Sequence, residues 1–137
     1  MTPQVVLSFD FGLTETGVAV GQTITGNARG VATLVMKDGR PKWREIEALV
    51  TEYAPTLLLV GLPLHMTGEE SDMSGAARDF AHRLEAKFDL SVALQDERLT
   101  TRAADERLEM ARQDGTAKND HEIAACIIFE DWYAARA

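Results

Sequence analysis

The feature that most restricts the fold of this chain is Leu57 to Gly61, a run that reads LLLVG and contains no polar side chain. A strand with one face in water alternates apolar and polar residues, whereas a strand covered on both faces is apolar throughout. This run therefore predicts a central strand with other elements packed on both of its faces. Such burial is typical of an α/β architecture, in which helices cover a mixed or parallel sheet.

Three earlier segments favour β-strands. Val5 to Asp10 is apolar and β-prone, Gly17 to Gly21 is a second short run of this kind, and a third strand is expected around Gly30 to Met36. The segment from Gly12 to Gly17 is predicted to turn a hairpin, and Asp38-Gly39 is a turn signal after the third strand. The three strands could form a meander.

Helical spacing begins after the third strand. Apolar residues recur at this spacing from Trp43 to Tyr53, and Pro55 ends the predicted helix. A loop is expected over Leu62 to Asp72, and the apolar stripe from Ala77 to Phe88 predicts a second amphipathic helix.

The remaining elements complete an alternating pattern. Ser91 to Gln95 is the predicted fifth strand, Thr100 or Thr101 is a candidate N-cap of the next helix, and a last helix carries apolar residues from Ile123 to Trp132. The order βββαβαβαα predicts one mixed sheet with helices on both faces.

Composition agrees with one folded domain over residues 1–137. Apolar residues make up 45% and charged residues 26%, which is typical of a globular protein. The single cysteine, Cys126, excludes an internal disulfide, fits a reducing compartment and is expected in the core. The chain shows no leader pattern and no membrane-spanning run, so a soluble cytoplasmic protein without membrane contact is expected.

The net charge of −8 limits the classes of function. It opposes broad affinity for nucleic acid, because phosphate contacts use Lys and Arg. It leaves room for an enzyme that binds a polyanion through a local basic rim and bridging metal ions. Neither a dinucleotide fingerprint nor a P-loop occurs, and no Cys or His spacing indicates zinc.

Three acidic residues stand at predicted junctions: Asp10 where the first strand ends, Glu97 where the last strand ends, and Asp120 where the last helix begins. A sheet that brings these junctions to one edge would gather a carboxylate cluster, which is costly unless divalent cations fill it. The pattern therefore indicates metal-dependent phosphodiester chemistry.

Each of these acids also has a structural interpretation. Asp10 could cap a turn, and Asp120 could be an N-cap or first-turn acid that the helix dipole favours. Asp96 and Glu97 are neighbours, so only one of them can share the face of Asp10 while regular strand geometry lasts. Spacing leaves that choice open.

Several stretches together resemble the YqgF/RuvX family, whose members are described as Holliday-junction resolvases and pre-16S rRNA nucleases. The likeness spans nearly the whole chain, and its motifs occur in the family's order. The stretches that carry it are Phe9 to Gly12 through Gly17 to Gly21, the VGLPL run Val60 to Leu64, the DERLT stretch extended over Asp96 to Thr101, and Lys118 to Asp120 with Ala124-Ala125.

The resemblance implies a ribonuclease H-like fold, with five mixed strands in spatial order 3-2-1-4-5 and flanking helices. It implies that Asp10, Glu97 and Asp120 bind Mg²⁺ or Mn²⁺. On this basis we hypothesise that two such ions, about 4 Å apart, are bridged by Asp10 and that Glu97 and Asp120 complete their ligation. It also implies hydrolysis of nucleic acid, either structured RNA of ribosomal precursor particles or branched DNA. The candidate substrate contacts, which could bind phosphate or the sugar-phosphate backbone, are Gly12, Arg98, Thr100 and Lys118.

The chain departs from the family pattern in the turn after Gly12, which reads Leu13-Thr14-Glu15-Thr16. A threonine followed by a basic residue is usual there, so a cation near the substrate is lost and an acid is gained. Thr67 stands where an aspartate is common. The segment between Leu108 and Lys118 is also short and poor in basic residues.

Two other functions compete with nuclease activity. Phosphotransferases of the actin and sugar-kinase type also place a D-x-G turn after their first strand, but they close two such domains over a nucleotide and this length provides for one. A non-catalytic RNA- or ribosome-binding module would agree with the acidic charge and the altered first turn. Cleavage that depends on the acidic triad separates these alternatives.

Overall fold

The computed structural model of the protein describes residues 3–65, 67–98, 109–110, 113 and 119–136. Five strands and three helices have defined bounds in these ranges. The strands are β1 (Val5–Asp10), β2 (Glu15–Gln22), β3 (Asn27–Val35), β4 (Leu57–Leu64) and β5 (Ser91–Arg98), and the helices are α1 (Trp43–Tyr53), α2 (Asp72–Phe88) and α3 (Asp120–Ala135). No helix within the described ranges is long and apolar enough to cross a bilayer.

The five strands form one mixed sheet in the order β3-β2-β1-β4-β5, which confirms the predicted strand order. β2 is antiparallel to both β1 and β3, whereas β4 is parallel to β1 and β5 is parallel to β4. β1, β3, β4 and β5 therefore run in the same direction. Their carboxyl ends meet at one edge of the sheet, which is called the C-terminal edge below.

The apolar run in β4 is buried on both sides, as its composition predicts. Leu58 and Val60 belong to a core cluster with residues of α1 and α2, whereas Leu59 packs with Ile128 and Phe129 of α3 on the other face. Alternating side chains of one strand thus serve two separate cores. Cys126 of α3 is also buried, in a cluster with Ala19 of β2, and lies in the core as expected.

Glycines let α3 lie unusually close to the sheet. A Cβ atom on Gly17 of β2 would overlap the carbonyl oxygen of His121, and one on Gly21 would overlap the ring of Phe129. In β4, a Cβ on Gly61 would lie 2.5 Å from Cδ1 of Ile128. Gly17 therefore leaves no room for a side chain against the helix backbone, whereas a side chain at Gly21 or Gly61 would require Phe129 or Ile128 to move.

Several elements extend beyond the expected bounds. β2 begins at Glu15, so the turn after β1 is shorter than the predicted Gly12 to Gly17. β4 and β5 each continue for three more residues, because Leu62–Leu64 pairs with Asp96–Arg98 in register. The expected loop over Leu62 to Asp72 was therefore wrong in its first residues, since a parallel partner strand stabilised the extended backbone.

The region between β5 and α3 is described only in part. Glu109, Met110 and Gln113 are helical. The predicted cap at Thr100 or Thr101 lies outside the described residues. The last helix begins at Asp120, as predicted.

The space around two glycines predicts opposite effects of their substitution by alanine. Gly17→Ala should lower the free energy of unfolding by on the order of 3 kcal/mol, because the methyl group displaces the backbone of α3. Gly75→Ala should raise it by about 0.5–1 kcal/mol, since Gly75 lies in α2 with open space around its Cβ position. Urea unfolding measures both. Equal stability of Gly17→Ala and the wild type would contradict the close contact.

Candidate functional site

Asp10 ends β1 on the face that α3 covers. Two residues earlier, the Ser8 hydroxyl donates a buried hydrogen bond of 2.8 Å to the Ala125 carbonyl oxygen of α3. Side chains alternate along a strand, so Asp10 points to the same side as Ser8. Asp10 also pairs in register with Gly17, the glycine on which the first turn of α3 rests.

Glu97 lies on this face as well. In β5, Ala93 packs with the α3 cluster, so alternation directs Glu97 to the α3 side and Asp96 to the opposite side. The Cγ atom of Glu97 lies 3.1 Å from the position that a Cβ would take on Gly61, and its Oε1 atom is shielded from solvent. Of the two neighbours Asp96 and Glu97, Glu97 is therefore the one that shares the sheet face of Asp10.

Asp120 is the first residue of α3 and is exposed. The N-cap is Asn119, whose side-chain oxygen accepts a hydrogen bond of 3.0 Å from the Glu122 backbone N–H. Asp120 is therefore a first-turn acid and not the cap. Because the first turn of α3 rests on Gly17, Asp120 starts the helix at the same corner of the sheet as Asp10.

Burial strongly perturbs one of the three acids. It raises the pKa of the Asp10 carboxyl from 3.8 to about 6, while the nearby His121 acts to lower it. His121 Nε2 also lies 3.8 Å from Oε1 of Glu15, the acid in the unusual turn. Negative charge on Asp10 is thus unfavourable in the metal-free protein, and a cation at this corner would favour it.

The three carboxylates share a corner without forming a closed cluster. Among residues 3–65, 67–98, 109–110, 113 and 119–136, no group of three or more His, Cys, Asp or Glu side chains is arranged to hold a metal ion. Mutual repulsion of like charges opposes such a group when no cation is bound. The donors nevertheless suit Mg²⁺ or Mn²⁺, since they are hard carboxylate oxygens and one of them is withdrawn from water.

The structure describes the other predicted site residues unevenly. Gly12 forms a tight turn, in which its N–H donates to Thr16 Oγ1 at 3.2 Å and a Cβ would overlap the Glu15 carbonyl oxygen. Arg98 is the last residue of β5. Thr100 and Lys118 lie outside the described residues.

Sequence reasoning missed the role of Glu122. Its side chain is buried, and its Oε1 atom occupies the space that a Cβ on Gly30 would fill. Thr33 Oγ1 donates to Glu122 Oε2 at 3.4 Å, and Asn119 Nδ2 donates to Thr33 Oγ1 at 2.9 Å. These bonds tie the start of α3 to β3. A glycine within a strand was the available signal, because such a glycine often marks a close approach.

The sheet has five mixed strands in the order β3-β2-β1-β4-β5, and α3 covers one of its faces. This is the architecture of the ribonuclease H-like class. The fold of RuvC from Thermus thermophilus in complex with a Holliday junction substrate agrees, with a TM-score of 0.58 and 16% identity over 96% of this chain and 94% of that chain. The predicted fold class is confirmed.

The chain belongs to the RuvX family, described as Holliday junction resolvase, whose model matches residues 4–135. A relative from Acinetobacter baylyi is 42% identical, over 98% of this chain and 93% of its own length. A relative from Haemophilus ducreyi is 45% identical, over 93% of this chain and 94% of its own length. Both carry the name "Putative pre-16S rRNA nuclease". The protein is thus a nuclease, a hydrolase of phosphodiester bonds.

The raised pKa of Asp10 predicts that Asp10→Asn increases the free energy of unfolding in a pH-dependent way. The folded protein binds this proton more strongly than the unfolded chain does, so stability falls as pH rises from 3.8 to about 6. Asp10→Asn removes this loss. At about pH 7.5 it should be more stable than the wild type by on the order of 3 kcal/mol, and the difference should vanish below pH 3.8.

Chemical denaturation across this pH range measures the effect. Asp79→Asn, on the exposed side of α2, is the matched control and should follow the wild-type profile. Parallel profiles for Asp10→Asn and the wild type would contradict the perturbed carboxyl.

Proposed function

We propose that this protein is a divalent-metal-dependent nuclease of ribosome biogenesis, which processes the 5′ end of pre-16S rRNA. The observation that carries the proposal is the common placement of Asp10 and Glu97 on the α3 face at the C-terminal edge, beside the first turn of α3. In this proposal Asp10, Glu97 and Asp120 hold Mg²⁺ or Mn²⁺.

The cation supplies two things: a lower pKa for the attacking water and neutralisation of charge on the phosphodiester. The chain supplies position. Asp10 and Glu97 extend from two parallel-running strands, and backbone pairing limits their movement. Asp120 starts a helix whose seat on Gly17 fixes its distance from β1. Donors on regular elements are held more accurately than donors on loops.

The N-terminal end of α3 can bind the phosphate of the substrate, in addition to placing Asp120 for the cation. The N-terminal end of a helix carries partial positive charge and unsatisfied backbone N–H groups, which stabilise anions such as phosphate. His121 lies in this first turn, and its ring offers a further donor. A phosphodiester at the corner would thus meet the carboxylate-bound cation and the helix end together.

Two classes of substrate fit this chemistry. The names of the relatives at 42–45% identity support pre-16S rRNA, which would place the protein in the cytoplasm with ribosomal precursor particles as partners. The family description supports Holliday junctions instead. We favour the rRNA because both of the relatives at 42–45% identity carry that name. Cleavage of a 5′-extended 16S leader RNA and of a synthetic four-way DNA junction, measured side by side, tests this choice.

Substitution of single carboxylates distinguishes the acids that are proposed to hold the metal from a neighbouring acid that is not. Asp10→Asn and Glu97→Gln should lower Mn²⁺-dependent cleavage at least about 100-fold, since each removes a charge that binds the cation. Asp96→Asn is the matched control for Glu97→Gln, because it alters the adjacent strand position on the opposite face. Its cleavage rate should stay near that of the wild type.

A second readout does not depend on cleavage. Calorimetric titration of Mn²⁺ should show weakened binding for Asp10→Asn and Glu97→Gln, and wild-type binding for Asp96→Asn. Cleavage at the wild-type rate by purified Asp10→Asn would refute the assignment. Binding of RNA without triad-sensitive cleavage would point to a non-catalytic binding module.

A further inference from the structure

The segment that links β3 to α1 is strongly basic in an otherwise acidic chain. Residues 37–44 read KDGRPKWR and hold four cations, Lys37, Arg40, Lys42 and Arg44, against the single anion Asp38. The whole chain carries a net charge of −8. We call these four cations the basic segment. A local concentration of one charge sign against the net charge is a signature of a binding surface.

The first part of the basic segment is a rigid two-residue hairpin. Lys37 and Arg40 form both mutual backbone hydrogen bonds, at 2.9 and 3.0 Å. Asp38 and Gly39 between them have φ values of 51° and 79°, as the tight primed hairpin turns require. Lys37 and Arg40 are directly opposite each other in this hairpin, and Arg40 also lines a pocket with Asp79 and Phe80 of α2.

This hairpin is docked on the turn that follows Asp10. The Gly39 N–H donates to the Leu13 carbonyl oxygen at 2.9 Å, and the Met36 N–H donates to the Thr14 carbonyl oxygen at 2.8 Å. Two residues separate Asp10 from Leu13, so their Cα atoms are at most about 11 Å apart.

The first residue of the hairpin, Lys37, is directed to the sheet face of the carboxylates. In β3, Thr33 bonds to Asn119 and Glu122 on the α3 side, whereas Leu34 and Met36 are buried in the core of α1 and α2. Alternation therefore directs Val35 and Lys37 to the α3 side, where Asp10 and Glu97 point. Val35 is 66% exposed, so α3 leaves this part of the face uncovered.

The four cations are available to an external partner. All four are exposed, and none of them takes part in the ion pairs found between described residues, which join Arg78 to Glu70, Lys87 to Glu47 and His121 to Glu15. An open groove of about 780 Å³ runs along the segment and is lined by Lys37, Arg40 and Lys42 among others. Its floor includes Val35 and Met36.

We infer that the basic segment is a substrate-binding surface for the sugar-phosphate backbone, on the side of Asp10 that faces β3. The inference rests on the proposed nuclease function and extends it. The strand to be cut would cross the C-terminal edge from the carboxylate corner to the hairpin, and Lys37, Arg40 and Lys42 would contact successive phosphates. Contacts of this kind position a nucleic acid and do not select its sequence.

A pair of double variants with equal change in charge tests the inference. Lys37→Gln/Lys42→Gln removes two cations of the basic segment. Lys87→Gln/Arg136→Gln removes two exposed cations at the opposite edge, since Lys87 lies in the last turn of α2 and Arg136 follows α3. Binding of the 16S leader RNA and of the four-way junction is measured by fluorescence anisotropy in EDTA, over about 50 to 200 mM salt.

We expect Lys37→Gln/Lys42→Gln to raise the Kd roughly tenfold and to lower the salt slope by about two, one for each lost phosphate contact. The control should change the Kd by no more than about twofold, through net charge alone. Equal effects of the two double variants, or none, would overturn the inference.

Cleavage by the same proteins keeps the two proposals apart. With Mn²⁺ and saturating RNA, Lys37→Gln/Lys42→Gln should retain the wild-type kcat and show a raised KM. Equal cleavage rates of Asp10→Asn and the wild type would refute the nuclease site. A weaker binding of RNA by Lys37→Gln/Lys42→Gln in the presence of EDTA would still support the basic segment. Loss of kcat with unchanged Kd would refute the substrate-binding role.

Discussion

The close seating of α3 on the sheet is the contact on which the site depends. Without a side chain at Gly17, the backbone of the helix approaches β2 to a distance that a methyl group would prevent, and Gly21 and Gly61 leave space for the side chains of Phe129 and Ile128. The cost of glycine in strands is the loss of apolar packing and of chain entropy. Here it is offset by the burial of Phe129 and Ile128. The same seating brings Asp120 to the corner where β1 ends.

A second consequence of this seating is electrostatic. The helix covers the end of β1 closely enough to withdraw Asp10 from water, and this burial raises the pKa of its carboxyl. In the absence of a cation, the folded protein is therefore destabilised near neutral pH by a carboxylate that, in our proposal, holds the metal. Such opposition between stability and function is common at active sites.

Much of the fold could be predicted from the sequence, because the LLLVG run demanded cover on two faces and the helical stripes supplied it. Strand ends were less predictable. β4 and β5 extend each other through Leu62 and Asp96, and such pairing between distant segments leaves no local pattern. The identity of the acid facing α3 depended on the register of β5, so residue spacing could not decide it, and the family resemblance had to.

The site itself was only partly visible in the sequence. Asp10, Glu97 and Asp120 stood out as acids at junctions, whereas the basic segment resembled an ordinary solvated turn until the hydrogen bond from Gly39 to Leu13 placed it beside Asp10. The supporting role of Glu122 was hidden for a similar reason. A first-turn acid is normal in any helix, and only the empty space at Gly30 shows that this one is buried.

The position of α3 along the chain has a bearing on biosynthesis. Its residues contact β1 and β2, which are synthesised first, so the face they share stays open until the helix leaves the ribosome. Asp120 is absent from any shorter nascent chain, and Asp10 remains in water. The three acids of the proposed site can therefore come together only after the last helix has been synthesised.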